Sequence, residues 1–333
     1  AYLPVAHLSL YGDLQISGGD PGVVSAVAHG HGAVLHWFAA LAMFWWLRGV
    51  GLRRSWSLGA AALFAAHPAL VESVGWVAGR KDLLSGLLGF LCLGVVARQC
   101  RRGGRAATWL VPLLGVLAMY AKATAVVLPV MAAATVYWTR TLSPSDAGRK
   151  QVGVWLPVAL LLVVTLAAAG HHFTIAAAEG VMDSSPAGSG AGLGARLAQV
   201  PGVYAHYLYT ALAPFGLNVL YPADQAFEAF RTGMLVSSLV LVVWIAAVGL
   251  AAVVGRKSNK ACVVSTGLFL ALAALAPFNT AFPPSAIAVA DRYLYLALPG
   301  FAVAAAALLG RFTVLPVLVL AVLAGLRTQD FRS

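Results

Sequence analysis

The chain has 333 residues, 61% of them hydrophobic and only 10% charged, with a net charge of +11. A soluble domain carries about 25% charged residues, so there is too little polar surface here to cover a water-soluble globule, and a mean hydropathy of +0.85 agrees. The positive charge does not point to nucleic acid, because the basic residues sit in short loops between apolar runs rather than among aromatics on a polar face.

Runs of about 20 apolar residues cross a bilayer. The hydropathy pattern predicts spans near 24–47, 56–67, 83–98, 107–120, 123–139, 153–170, 233–255, 261–277, 293–309 and 312–326. A further helix at 201–217 either spans or lies in the interface. The fold class is therefore all-α, a polytopic transmembrane bundle of about 10–11 membrane helices. The single membrane domain covers 1–333, with an outer N-terminal segment at 1–23 and a long outer loop at 171–232. The chain opens at Ala1-Tyr2-Leu3-Pro4 without an initiator Met and stops at Phe331-Arg332-Ser333, which reads as a piece of something longer at both ends.

Charge fixes the expected orientation. With 1–23 outside, the inner loops hold Arg48, Arg53, Arg54, Arg98, Arg101, Arg102, Arg105, Arg140, Arg149, Lys150, Arg256, Lys257, Lys260 and Arg311, which is 14 of the 22 Lys and Arg. They hold one acid, Asp146, and none of the 8 histidines. This is the positive-inside pattern. Polar groups are costly near a bilayer unless they have partners or work, so the chemistry is expected on the outer side.

The densest outer cluster runs from His67-Pro68 through Glu72 and Trp76 to Arg80-Lys81-Asp82. Pro68 disfavours helical geometry at His67 and ends the preceding helix. Glu72 and Trp76, four apart, share a helix face, and Asp82 sits at a helix start, where negative charge is favoured. An interfacial anchor would also collect Trp and basic residues, but the whole cluster is more than an anchor needs. Lys122, between two apolar runs, either snorkels to the interface or contacts a phosphate. Asp291-Arg292-Tyr293-Leu294-Tyr295 opens a later span on the same side, either pairing its own charges or serving a site. His29 and His36 lie seven apart on one face. A helical metal pair would use i, i+4 spacing, so hydrogen bonding within the bundle is expected there, and no metal. Gly188–Gly194 follows a span and not a strand, so it reads as a flexible outer loop and not a dinucleotide site. Cys92, Cys100 and Cys262 have no ligand or redox spacing and read as small apolar filler.

Taken together, these runs resemble the membrane region of the tetratricopeptide-linked transmembrane O-mannosyltransferase-like proteins and their bacterial relatives, glycosyltransferases of the GT-C type. Residues 64–84 match the family's F-x-x-H-P-x-x-x-E-x-V-x-W-x-x-x-R-x-D-x-L. Further matches are Tyr2-Leu3-Pro4, His29 with His36, Lys122 with Leu128-Pro129, Tyr207-Leu208 through Pro214-Phe215-Gly216-Leu217 with Tyr221-Pro222, and Asp291–Leu296. Asp291 stands where the family more often has Glu. By this resemblance a first span and an acidic outer-loop motif would precede Ala1, and tetratricopeptide repeats would follow Ser333; Asp13 and Asp20 are the acids left on the remaining piece.

The resemblance implies transfer of a hexose, mannose foremost, from a polyprenyl- or dolichyl-phosphate donor to a hydroxyl of a protein or glycan acceptor on the non-cytoplasmic side. The lipid-linked donor is then a substrate, membrane lipid a partner, and no cofactor is called for. A carboxylate would take the acceptor proton, with Asp13 as a weak candidate. Glu72 and His67 would position substrate or cations. Arg80, Lys81, Lys122 and Arg292 would converge on the departing phosphate, flanked by Trp76, Tyr293 and Tyr295, with Asp82, Asp291, His29 and His36 in support. Two other readings stay open: a transporter or flippase of a lipid-linked or anionic solute, and a non-catalytic membrane partner. Ala- and Gly-rich spans and short loops favour a bacterial cytoplasmic membrane over the ER.

Overall fold

The computed structural model describes residues 3–104, 106–142, 152–179, 193–218, 221, 233–255, 258–278 and 289–331. Regular structure among them is entirely helical: α1 (Pro4–Ile16), α2 (Pro21–Val50), α3 (Arg54–Ala65), α4 (Val71–Gly75), α5 (Arg80–Arg102), α6 (Ala107–Ala121), α7 (Leu128–Leu142), α8 (Val152–Ala178), α9 (Leu193–Leu212), α10 (Met234–Gly255), α11 (Asn259–Leu275), α12 (Leu298–Leu309) and α13 (Val314–Arg327). Local sequence sets the ends. Asp20 caps α2 by accepting from the Gly22 and Val23 amides at 2.9 and 3.0 Å, with Pro21 in the first turn. Gly51, at φ 102°, ends α2 in the left-handed region. Glycine run 188–194 lies outside the described residues apart from Leu193 and Gly194, as does 143–150, most of a loop expected to face inward.

Seven stretches among the described residues are long and apolar enough to cross a membrane: Pro21–Val50, Val77–Arg102, Ala123–Leu142, Gly153–Ala178, Met234–Gly255, Asn259–Phe278 and Leu298–Phe331. Arg54–Ala65 and Pro68–Gly75 form a further apolar pair, a broken span or a re-entrant loop, bent by 51° where Pro68 follows an extended His67. The protein is thus a multi-pass integral membrane protein. Its last stretch doubles back. Arg327 donates to Asp291 Oδ2 at 2.7 Å and to the Pro68 carbonyl at 3.0 Å, both near the start of α12. In one straight helix Arg327 would lie about 45 Å from that start, so α12 and α13 are antiparallel arms turned at Gly310, φ 57°, as the separate spans expected at 293–309 and 312–326 require. The helix expected at 201–217 lies instead at Leu193–Leu212. It stops before Pro214, whose ring disfavours helical geometry in the preceding residue.

The helices segregate charge by end. Helices α2 and α5 run the same way, from the end holding Asp13, His29 and Arg80 to the end holding Arg48, Arg98, Arg101 and Arg102. Between the ends sits an aromatic core in which the Trp46 ring stacks on Phe90 (6.2 Å between centroids), Phe64 meets Phe90 edge-on (5.6 Å), and Tyr295 meets Phe64 (5.2 Å). Gly86 lets Tyr295 in: a Cβ there would lie 2.4 Å from its ring. Helices α11 and α12 cross equally closely, since a Cβ on Gly300 would stand 2.3 Å from the Gly267 carbonyl oxygen. The exposed side chains of α10 (Leu235, Val236, Leu239, Val242, Val243 and Leu250) are apolar, as a surface against acyl chains must be.

The charge bias predicts which end faces the cytoplasm. In a cysteine-free background, Gln15→Cys on α1 should react with an impermeant maleimide in intact cells. Ser55→Cys on α3 should react only after permeabilisation, and the reverse pattern would invert the orientation.

Candidate functional site

The end of the bundle that holds Asp13, His29 and Arg80 gathers side chains from segments far apart in sequence. The bend at His67 carries α4 across the bundle, placing Glu72 fully buried against Arg292, 220 residues away. Arg292 Nη1 donates to Glu72 Oε1, and the Arg292 amide donates to Oε2 at 3.0 Å, so both carboxylate oxygens are engaged. The same guanidinium lies 4.8 Å from the ring centroid of Trp76, one helical turn beyond Glu72. His67 does not reach this pair. Its Nδ1 accepts from the Ala69 amide and its Nε2 faces the Ala211 carbonyl, both at 3.2 Å, which fixes the neutral tautomer with the proton on Nε2.

Lys122 is buried and not at the surface. Helix α6 stops there in extended geometry, φ −157° and ψ 126°, and the ammonium is directed at Asp82 Oδ1 in the first turn of α5. Tyr293 links the two ion pairs, its ring 5.0 Å from the Lys122 ammonium and 5.3 Å from the Arg292 guanidinium. Phe278 stacks on Tyr293 at 4.3 Å and also faces Lys122. Lys81 completes the cluster. It is half-buried, interacts electrostatically with Asp82, Lys122, Arg292 and Glu72, and makes no ion pair or hydrogen bond among the described residues. Two carboxylates therefore face three cations, and the third is Lys81. Asp82 Oδ2 and Ser85 Oγ, three residues apart on α5, are buried without a partner among the described residues, so this corner has hydrogen-bonding capacity to spare.

Arg80 belongs to a neighbouring group. Its Nη2 donates to Asp13 Oδ2 at 2.6 Å and to the Ala28 carbonyl at 2.9 Å, and Nη1 donates to Ser9 Oγ at 2.9 Å. His31 Nδ1 lies 2.7 Å from Asp13 Oδ1 and 2.9 Å from Arg80 Nη1; one nitrogen cannot serve both, and donation to the carboxylate is the stronger bond. Burial pushes the Asp13 carboxyl up, but the hydrogen bonds and charges of Arg80 and His31 outweigh it and hold it below the usual carboxylate range. Asp13 is thus ionised at neutral pH but committed to partners.

Asp291 turns away from its neighbour Arg292. It accepts from Arg327 and from the Tyr221 hydroxyl, both at 2.7 Å. Tyr295 is buried and lies 2.9 Å from His36 Nδ1, whose Nε2 faces the Ala65 carbonyl at 3.2 Å. His36, His29 and His67 line one cavity of about 350 Å³ with Val71, Val74, Gly75 and Phe331. Among the described residues no cluster of His, Cys, Asp or Glu has the geometry to hold a metal ion. Sequence reading missed Arg327, whose only signal is a lone cation at the C-terminal end of the last span, and the partnership of His31 with Asp13. The chain matches no family model, no curated protein and no solved structure.

Two outcomes are expected. Breaking the buried pair by Glu72→Gln should destabilise the solubilised protein by about 3–5 kcal/mol, whereas Glu72→Leu with Arg292→Met should recover most of it; thermal unfolding of the three variants checks this. Because the folded carboxyl of Asp13 titrates below its unfolded value near 3.9, its contribution is complete at neutral pH and lost as pH falls through the folded value. Asp13→Asn should lower the melting temperature at pH 7 and shrink that difference below pH 4.

Proposed function

We propose that the chain is the membrane part of a GT-C type glycosyltransferase, moving a hexose, mannose in the family it resembles, from a polyprenyl-phosphate donor to an acceptor hydroxyl on the non-cytoplasmic face. The observation that carries this is the outer charge net: Glu72–Arg292 and Asp82–Lys122 neutralise each other in pairs, leaving Lys81 as a surplus cation at the start of a membrane helix. A lipid phosphate brings the missing negative charge to that level of the bilayer.

In the reaction the acceptor oxygen attacks the anomeric carbon, the bond from that carbon to the phosphate oxygen breaks, and its electron pair stays on the phosphate. Lys81 then stabilises charge that grows in the transition state, while Arg292 and Lys122, held in their ion pairs, fix the residues around it. The orphaned Asp82 Oδ2 is a natural acceptor for a sugar hydroxyl. The acceptor proton leaves to a carboxylate. Asp13 can take that role only by releasing Arg80 or His31, so it is a weak base in this arrangement.

One feature favours a rival. The break between α6 and α7 at a buried Lys122 resembles the discontinuous helices of transporters, which would make the chain a carrier of a lipid-linked or anionic solute. Proteoliposomes loaded with a polyprenyl-phosphate mannose donor and a Ser/Thr-rich peptide separate the two. Transfer predicts release of polyprenyl phosphate and mannosylated peptide. Lys81→Gln should lower kcat/KM by about 100-fold or more, the usual cost of one charge-stabilising donor, without lowering the melting temperature. Movement of donor across the bilayer without peptide labelling would support the carrier instead.

A further inference from the structure

The opposite end of the bundle carries a second, differently built charge cluster. Helices α2 and α5 end side by side there, close enough that a Cβ on Gly49 would stand 3.2 Å from that of Ala97. Between the two ends lies a recess of about 320 Å³ lined by Arg48, Gly49, Arg98, Arg101 and Arg102. No carboxylate among the described residues lines it. The two helix C-termini contribute only about half a negative charge each, less than the guanidinium groups of Arg48, Arg98 and Arg102.

Two of the arginines are held in place by their surroundings. The Trp45 ring lies flat on Gly94, where a Cβ would come within 1.9 Å of it, and the Arg98 guanidinium is stacked 4.5 Å from the centroid of that ring. Arg98 Nε is buried with no hydrogen-bond partner. Arg48 donates through Nη1 to the Leu52 carbonyl. Arg48 also terminates a helix face that is apolar toward the bilayer: Trp37, Leu41, Trp45 and Arg48 follow one another within a narrow arc of α2, and Trp37 and Leu41 are exposed.

We infer that this recess binds the phosphate headgroup of an anionic phospholipid, with an acyl chain lying along Trp37 and Leu41. Basic pockets between membrane helices at the positive end are suited to such headgroups. The apolar stripe running directly into the arginines selects a lipid over a soluble phosphate, which would need no such track. The site is independent of sugar transfer, sits at the other end of the helices from Lys81, and requires only that the bundle be membrane-embedded.

Native mass spectrometry of the full chain in detergent, titrated with dioleoyl phosphatidylglycerol or dioleoyl phosphatidylcholine, tests it. The wild type should retain phosphatidylglycerol at least tenfold more tightly. Arg48→Gln with Arg102→Gln, both on exposed side chains, should abolish the preference. Arg53→Gln with Arg54→Gln, which removes the same charge at the same end outside the recess, should leave it intact. Equal retention of both lipids, or equal loss in both double variants, overturns the inference. Displacement of phosphatidylglycerol by millimolar inorganic phosphate would also overturn it, since the recess would then be a soluble-anion site. Unchanged melting temperatures confirm that the variants remain folded.

Discussion

A buried carboxylate in a membrane-embedded bundle must find a cation, and the Glu72–Arg292 pair is where this protein meets that constraint most completely. Both oxygens of Glu72 are taken by one residue, through its guanidinium and its own amide. Because the two residues are 220 positions apart, the bond ties the bend after α3 to the segment leading into α12. Trp76 and Tyr293 then sheathe the guanidinium, and Tyr293 passes the same aromatic cover to Lys122. Replacing such a pair with apolar side chains of similar volume is often harmless to stability, whereas removing one partner is not. Its retention in so apolar a chain therefore fits a positional role, fixing the elements around Lys81.

The end of the bundle opposite the arginines carries four buried ion pairs: Asp13 with Arg80, Asp82 with Lys122, Glu72 with Arg292 and Asp291 with Arg327. Among the described residues, four carboxylates thus consume four of five cations at this end, leaving Lys81. The other end gathers arginines along the last turns of α2 and α5, around a recess that no carboxylate lines among the described residues. This asymmetry follows from the sequence bias of acids to one side, and it gives the ends different capacities. A nearly neutral net can grip one phosphate selectively, while a recess lined by guanidinium groups suits an anionic headgroup.

Much of this architecture is legible in the residues alone. Hydropathy places the long helices, Pro68 ends α3, and the i, i+4 relation of Glu72 and Trp76 brings both to Arg292. Partner choice is not legible, because it depends on tertiary geometry. Four outer cations look equivalent in the sequence, yet Arg80 and Lys81, adjacent on α5, point to different groups, one locked on Asp13 and the other left open. Adjacent residues on a helix diverge by about 100°, which is enough to separate their roles but gives no hint which neighbour takes which. Asp291 and Arg292 are separated in the same way, by a short 3₁₀ turn that sends one to Arg327 and the other to Glu72. Arg327 itself carries no motif, and only the return of α13 beside α12 reveals its purpose.

The most direct test of the central claim, that paired charges leave Lys81 as the open cation for a lipid phosphate, is a cryo-electron microscopy map of the protein reconstituted with polyprenyl monophosphate. Phosphate density is expected within hydrogen-bonding reach of the Lys81 ammonium, with the Glu72–Arg292 and Asp82–Lys122 pairs intact. Phosphate density at Arg80 or Arg327, with Asp13 or Asp291 displaced from its present partner, would contradict it.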